Sequence, residues 1–532
     1  MEKKSPQKIW IEYEKLRDYL NQYNVYDQVK INEKFYEGNQ WDGVDAPDIA
    51  KPVMNELARI GNYQIAALSS KGVGVSIMPF HSEDKEVADA ISKSTEDVIE
   101  QAKMEENSRQ AIRDGFVDGC SYAFQNFNEN EKAKGYEGII EEEMLDITQV
   151  YFGNPFSNKI QSQPYIILAF RQYIEQVKQE AKERGLNQDA IDSIMPDNDS
   201  HLLHDETNDK LCTVLLKLWK EEKPLIKKDE SMDEYGNIII QEIETDETIK
   251  TVHFSKSTKS VFLVDDIDLD YKRYPIARFG WSKKKNSFLY DSPVSANITN
   301  QIFINKCFAY ADEYLLKGAF PKIAFDSTKV HYEDLIKEGM GSLNLASLDI
   351  LGKFLDFTKA PELPVQLNNF ITLSIQEMRT TSGINDAALG DVKPDNTSAI
   401  IALQESANAP LELQRQEFYE FWEDRVRNII DIMSVRFGQR VITIEEQPFL
   451  MDYDKIQDIN YDLKIDIGSG SQYSELAQIT TLDNLLGRGL IQLEDYLEAI
   501  PDKLLPKKNV LLKRAKERQQ AMMMAQQPVI NQ

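Results

Sequence analysis

The chain is poor in the residues that carry most site chemistry. It has three cysteines, Cys120, Cys212 and Cys307, about ninety residues apart and in no CxxC arrangement. That spacing leaves neither a disulfide framework nor a zinc site in view, and predicts reduced core thiols. Histidine is equally scarce at five. His81, His253 and His331 lack the neighbours of a metal site or a catalytic triad. His201 and His204, beside Asp197, Asp199 and Asp205, could hold a metal if that segment were helical, but a polar surface loop is the default reading. No GxxxxGK[ST] run is present, and the glycine pairs "GVG" (72–74) and "GSGS" (468–471) lack the grammar of a phosphate loop. "DDIDLDYKRY" has Tyr271 where a calcium loop needs glycine and Ala277 where it needs the bidentate glutamate, which makes it an acidic strand edge. No cofactor or metal is expected.

Long apolar runs are missing too. The longest, such as "YIILAF" at 165–170, fall far short of the roughly 18 residues of a membrane span. The start, "MEKKSPQKIWIEYEKL", has no apolar core of a secretory signal, so the chain is expected to stay in the cytoplasm where it is made. Positive charge is in deficit, with 61 Lys and Arg against 88 Asp and Glu, a net charge of -27. Such a surface does not grip duplex DNA along its length. It does suit a wall past which DNA slides without adhering. Carboxylate runs such as "EEEMLD" (141–146) could serve acid/base or two-metal chemistry, a solvated face being the default. Basic runs are few: "KKK" at 283–285, and the series Lys503, Lys507, Lys508, Lys513, Arg514, Lys516 and Arg518, read as a solvated helix end or a contact for nucleic acid or an acidic partner.

What is present describes a soluble globular protein. Of 532 residues, 42% are hydrophobic and 10% aromatic, with a mean hydropathy of -0.47. That length exceeds what one core organises, so two or three lobes are expected. Residues 1 to about 135 read as mainly helical: a first helix through "EYEKLRDYLNQY", a turn at "FYEGNQWDG", helices at 55–68 and 84–116, and a strand at "GVSIMPF" (74–80). From about 136 to 290 the pattern turns to short β-rich runs, "LCTVLLKLWK", "IIIQEIET", "TVHFSK", "SVFLV" and "PIARFGW", with surface insertions at 186–209 and 227–237.

Helix punctuation is clearest after residue 290. Ser292 is a candidate N-cap, Pro293 a first helical residue, Gly318 a stop and Pro321 lies just beyond. A mixed segment to Pro361 holds a strand ("KIAFD") and a helix ("YEDLIKEGM"). A second helix, "VQLNNFITLSIQEMRTTSG", then ends at Gly383. The polar loop "INDAALGDVKPDN" leads to an amphipathic pattern running to Phe437 and interrupted by Pro410, whose helical cost of about 3 kcal/mol predicts a kink. "RVITIEE" and "YDLKIDIG" read as strands, and the segment from Gln472 as helical.

In this order of elements the chain resembles the portal proteins of tailed bacteriophages. The residues that carry the likeness are "FYEGNQW", "KPVMNELARI", "SPVSANITNQIFINK", "RTTSGINDAALGDVKPDNTSA" and "IIALQESANAPLELQRQEFYEFW". The resemblance implies an α+β, mainly helical protomer: a wing over 1–290, a first stem helix at 291–320, a clip at 321–361 and a second stem helix at 362–382. A tunnel loop at 383–397, a kinked long helix returning to the wing at 398–471 and a crown at 472–532 complete it. Within that frame Asp386, Asp391, Lys393, Asp395 and Asn396 would face the channel, and Pro410 would bend the long helix. Val294, Ile298, Ile302, Phe308, Leu315, Leu367, Phe370, Ile371, Ile375 and Met378 would pack stem against stem.

The implied function is non-enzymatic. Copies form a ring, usually a dodecamer in this family, at one capsid vertex of the virion, assembled in the host cytoplasm. Double-stranded DNA is packaged and ejected through it, and the motor and then the tail attach there. The implied partners are further copies of the chain, the terminase large subunit, a head-tail adaptor, the major capsid and scaffolding proteins, and double-stranded DNA, with no membrane. A metal-dependent DNA-processing enzyme of a mobile element, and another virion component such as an adaptor or core protein, are the alternatives.

Overall fold

The computed structural model describes residues 5–47, 49–69, 73–79, 85–133, 135–197, 210–232, 238–318, 323–325, 328, 355–357, 365–384, 409–444, 447–458, 461–467, 482–488, 490–492, 496–497, 499–500 and 511. The chain opens with α1 (Pro6–Gln22), whose N-cap Ser5 accepts from the Lys8 N–H and which carries proline in its first turn. Asn24, in the left-handed region, turns the chain into α2 (Val25–Glu37), a helix where the sequence pattern had suggested only the turn at its end. α3 (Glu56–Ser69) and β1 (Val73–Pro79) follow. The single helix expected over 84–116 is two, α4 (Lys85–Gln101) and α5 (Met104–Asp118), because Lys103 adopts a positive φ between them.

β2 (Cys120–Ala133) and β3 (Tyr136–Leu145) pair as a hairpin. β4 (Val150–Phe152), β5 (Tyr165–Tyr173), α6 (Ile174–Glu183), α7 (Gln188–Asp192), β6 (Leu211–Met232), β7 (Ile238–Ser257), β8 (Phe262–Asp268) and β9 (Ile276–Gly280) complete this half. The strands form an antiparallel five-stranded sheet ordered β4-β5-β6-β7-β8 and a three-stranded sheet ordered β3-β2-β9. The acidic run at 265–268 lies on β8, an outermost strand, as its composition suggested.

Both expected insertions take part in the fold. Ile191 and Ile194, from the first, are buried with Val177, Ala181, Cys212, Val214 and Leu263 in a small second core. Asp197 accepts from the Thr213 N–H at 2.7 Å and pairs with Arg171, so it is occupied as a structural partner; residues 198–209, with both histidines, lie outside the described residues. In the second, the strand character of β6 persists to Met232 and β7 begins at Ile238, so one long hairpin replaces several short runs. With strands of 22 and 20 residues, the described fold is mixed α+β to a greater degree than "mainly helical" conveys.

α8 (Pro293–Gly318) starts and stops where its punctuation predicted. β10 (Ile323–Phe325) pairs antiparallel with β11 (Leu355–Phe357), bringing the two ends of the intervening segment together. α9 (Val365–Thr381) follows, and α10 (Glu412–Arg436) buries Phe418, Phe421, Trp422, Val426, Ile429, Ile430 and Met433. β12 (Gln439–Ile444) and β13 (Gln447–Asp452) form a hairpin, and β14 (Tyr461–Ile467) returns across the molecule to pair with β1, Val73 opposite Ile467. Residues 482–487 are helical, the described part of the segment expected to be so. One continuous apolar core joins α1–α5, the sheets and α10. The three cysteines are free and buried.

Candidate functional site

The helical hairpin formed by α8 and α9 is rooted in the main body by buried polar groups. The Ser292 Oγ accepts from the Ser295 N–H at 3.2 Å, capping α8, and its hydroxyl donates to the Val117 carbonyl at 2.5 Å at the end of α5. Asn32 of α2 donates to the same carbonyl at 2.7 Å and accepts from the Ser295 hydroxyl at 2.9 Å. One turn of helix α5 thereby fixes where α8 begins.

Two turns further along α8, the amide of Gln301 accepts from the N–H groups of Glu56 (3.1 Å) and Leu57 (3.4 Å) and donates to the Met54 carbonyl at 2.6 Å. These are orphan groups at the start of α3, so a side chain of α8 performs the capping that α3 needs. Asn305, one turn later, accepts from Gln301 (3.0 Å) and the Met54 N–H (3.2 Å), and donates to Gln40 at 2.5 Å. Gln301, Asn305, Gln40 and Asn32 are all buried. A buried amide whose donors and acceptors are matched fixes geometry in a way an apolar contact cannot, since any slip leaves a polar group without a partner.

α9 joins the same root. Arg379 pairs with Glu56 at 3.3 Å, and Gln64 of α3 donates to the Ser382 carbonyl at 2.8 Å. Gly383 then closes the helix at φ +72°, with the Ile384 N–H donating back to Arg379 O at 2.9 Å. A Cβ on Gly383 would lie 2.7 Å from the Cβ of Pro410, so the entry to α10 packs directly on the exit of α9. Pro410 itself lies in a 3-10 turn, Ala409–Leu411, immediately before α10. Residues 398–408, the other arm of the expected kink, are outside the described residues, as are Asp386, Asp391, Lys393, Asp395 and Asn396.

The expected stem-packing residues divide along the hairpin. Val294 and Met378, at its root, are fully buried in the protomer's own core, and Ile298, Phe308 and Ile375 pack partly against it. Ile302, Leu367 and Ile371 are half-buried. Farther out, Leu315 is 54% and Phe370 56% exposed, and three residues not singled out in the sequence join them: Phe303, Tyr310 and Leu373. The hairpin carries more large apolar surface into solvent than its own two helices cover.

α10 is tied to the body at its other end by an ion pair with no solvent access. The side chains of Arg425 and Glu142 are both 0% exposed. The Arg425 Nε donates to Glu142 Oε1 at 2.8 Å, and the remaining donors reach the other carboxylate oxygen, Ser108 Oγ at 2.6 Å and Met104 O at 2.9 Å. Asn107 and Gln125 also donate to Glu142, at 3.0 and 2.9 Å, and the guanidinium lies over the rings of Trp422 and Phe421. The central carboxylate of "EEEMLD" is thus a structural counter-ion. The loop before β9 is held to α10 in the same way: Asp431 accepts from the N–H groups of Lys272 and Arg273 at 2.9 Å each, and Arg273 pairs with Asp424 at 2.6 Å.

Next to the start of α8 sits an acidic group of a different kind. Burial pushes the Asp114 carboxyl up to about 6 despite the adjacent Arg113 guanidinium. Asp118, one turn on, is held well above the usual carboxylate range by burial and by the charges of Asp114 and Asp146. Lys283 of the "KKK" run pairs with Glu417 at 2.6 Å and Lys284 with Asp291 at 2.9 Å, so both engage carboxylates of this chain. Among the described residues no His, Cys, Asp and Glu group is arranged to hold a metal ion.

The root of the hairpin is where the separate sequence segments meet: Gln40 of "FYEGNQW", Met54 to Leu57 of "KPVMNELARI", Ser292 to Asn305, and Arg379 to Gly383 of "RTTSG". Such a convergence defines a protein in which a helical hairpin is seated in a fixed socket. The family model for phage P22-like portal proteins matches residues 13–532, and the chain belongs to that family. No curated protein matches it. Membership places the chain among the components of the phage virion and its DNA-packaging apparatus, and no helix among the described residues is long and apolar enough to cross a membrane.

Proposed function

We propose that copies of this chain assemble into a ring at one capsid vertex, and that α8 and α9 of successive copies pack side by side into the wall of a channel for double-stranded DNA. The observation that carries this reading is the exposed apolar surface of a hairpin whose root is rigidly clamped. Phe303, Tyr310, Leu315, Phe370 and Leu373 stand on helices that the Gln301 and Asn305 network holds in a fixed direction. Apolar side chains held that way favour a repeated contact over random adhesion. The chain performs no bond chemistry in this reading. DNA is moved by a separate motor, the terminase large subunit, and the acidic wall repels phosphate and lets the duplex slide. The residues at 383–397 line the channel, with Lys393 as a phosphate contact and the acids limiting adhesion. The clip at 321–361 meets the motor and later the head-tail adaptor, and the outer parts meet capsid and scaffolding proteins.

Substituting Phe370→Asp together with Leu373→Asp tests the hairpin directly. Both sites are exposed in the protomer, so its unfolding midpoint should move by no more than about 0.5 kcal/mol in stability. The mass of the assembled species should fall to that of the single chain or small oligomers. A variant ring of unchanged mass would remove the hairpin from the subunit interface.

A further inference from the structure

The last turn of α5 seats the start of α8 through backbone groups. Besides its bond to the Val117 carbonyl, the Ser292 hydroxyl reaches the Phe116 carbonyl at 3.1 Å, and the Gly119 carbonyl accepts from the Trp281 N–H at 2.8 Å. Gly119 has φ +95°, and a Cβ there would lie 2.7 Å from the Tyr290 carbonyl oxygen. Asp118 stands between Val117 and Gly119, so any shift of its backbone displaces the groups that Ser292 and Asn32 use as partners.

This turn is adverse to an ionised Asp118. It is the negative end of the helix dipole and has no basic residue. Asp114 precedes it by four residues, the spacing at which like charges on a helix face each other. The one guanidinium of the group is committed elsewhere: Arg113 donates to Asp114 at 3.2 Å and pairs with Glu33 of α2. The Asp118 Oδ1 is shut off from water and accepts no hydrogen bond from the described residues. The charges that bear on it are Asp114 and Arg113 from α5, Glu33 from α2 and Asp146 from the segment after β3. Cys120, which opens β2, is subject to both Asp118 and Arg278 of β9. A carboxylate out of water, without a donor and among like charges, is costly, and the neutral acid escapes that penalty. Burial, and then the neighbouring carboxylates, accordingly hold this carboxyl well above the usual range.

We propose that Asp118 is a proton-operated latch on the α8–α9 hairpin: while its carboxyl keeps a proton the last turn of α5 stays seated against Ser292 and Asn32, and loss of that proton to solvent loosens the start of α8. Opening the turn returns the carboxyl to its ordinary range, so each opening of the protonated form releases one proton. The latch is therefore strongest in acid and weakens as pH rises toward the raised folded value, with about a tenfold gain in opening for each pH unit. The device lies within one protomer and does not depend on the ring.

The test is hydrogen exchange on the full-length chain from about pH 6.5 to 8, above the titration of Asp114 at about 6, with each rate divided by the intrinsic rate at that pH. The Ser295 and Ala296 amides, both bonded to Ser292, should lose protection by about tenfold per pH unit. They should also be less protected throughout than the amides of Val426 and Ile429, which lie in the main core and report global unfolding. Asp118→Asn, a neutral side chain of the same shape, should remove the slope, and Asp114→Asn should keep it. A flat profile in the unmutated chain overturns the latch without any variant. So does a slope that survives Asp118→Asn, a slope that Asp114→Asn removes instead, or protection at Ser295 and Ala296 equal to that at Val426 and Ile429.

Discussion

Arg425 and Glu142 form a pair in which neither partner has access to water, and the energetics of such pairs are asymmetric. Keeping both costs desolvation that the mutual attraction and added hydrogen bonds offset; removing one leaves an ion buried alone. Glu142→Gln should therefore lower stability by about 3–5 kcal/mol, and the double variant Arg425→Met/Glu142→Met should lose less than the single one. Urea unfolding of the three proteins checks this, and a double variant less stable than Glu142→Gln would contradict it. Asp114 behaves in the opposite sense. Its folded pKa, about 6, is raised above the unfolded value. The native state thus binds the proton more tightly, and the group's contribution is most favourable below pH 4 and is lost as pH rises through 6. Asp114→Asn should stabilise the protein at pH 7.5 by on the order of 1–3 kcal/mol, with the gain vanishing near pH 4; a gain that persisted there would assign the effect to packing.

At the scale of elements, the hairpin root is the feature on which the account depends. Gln301→Leu would strand the Leu57 N–H, at about 1–3 kcal/mol for a group left unsatisfied in the interior, and would leave the Glu56 N–H and the Met54 carbonyl only their 2.9 Å bond to each other. Loss of hydrogen-exchange protection at the start of α3, ahead of the rest of the core, should accompany the fall in stability; uniform loss would argue against a local clamp. Gly383→Ala should cost about 1–2 kcal/mol from the left-handed backbone alone, with the 2.7 Å approach to Pro410 added to it.

Much of this region was legible. Ser292, Pro293, Gly318 and Gly383 punctuate α8 and α9 by local rules that tertiary structure does not alter. The roles of Gln301 and Asn305 were not, since an amide at helical spacing looks solvated until the α3 terminus it caps is placed beside it. The break at Lys103 escaped because a lysine with positive φ leaves no mark in periodicity, and the length of β6 and β7 because charges at 227–230 resemble a loop when the paired strand is unknown. Glu142 could not be told from its neighbours in "EEEMLD" because only its partner, 283 residues away in sequence, distinguishes it.

For the whole molecule, the chain divides its hydrophobic surface between two uses. The continuous core of α1–α5, the sheets and α10 is satisfied within the protomer, while the outer parts of helices α8 and α9 carry apolar residues that the protomer itself does not cover. A net charge of -27 would disperse such chains unless specific contacts overcame the repulsion, so raising ionic strength should favour assembly by screening it. The central claim is that this phage portal family member forms a ring around a channel. It is tested most directly by mass photometry of the purified chain with negative-stain images of the same fraction. A species near 730 kDa, twelve times the 61.1 kDa chain mass, with annular particles and a central hole, is the predicted result. A monodisperse single chain across low and high salt, with no annular particles, would contradict it.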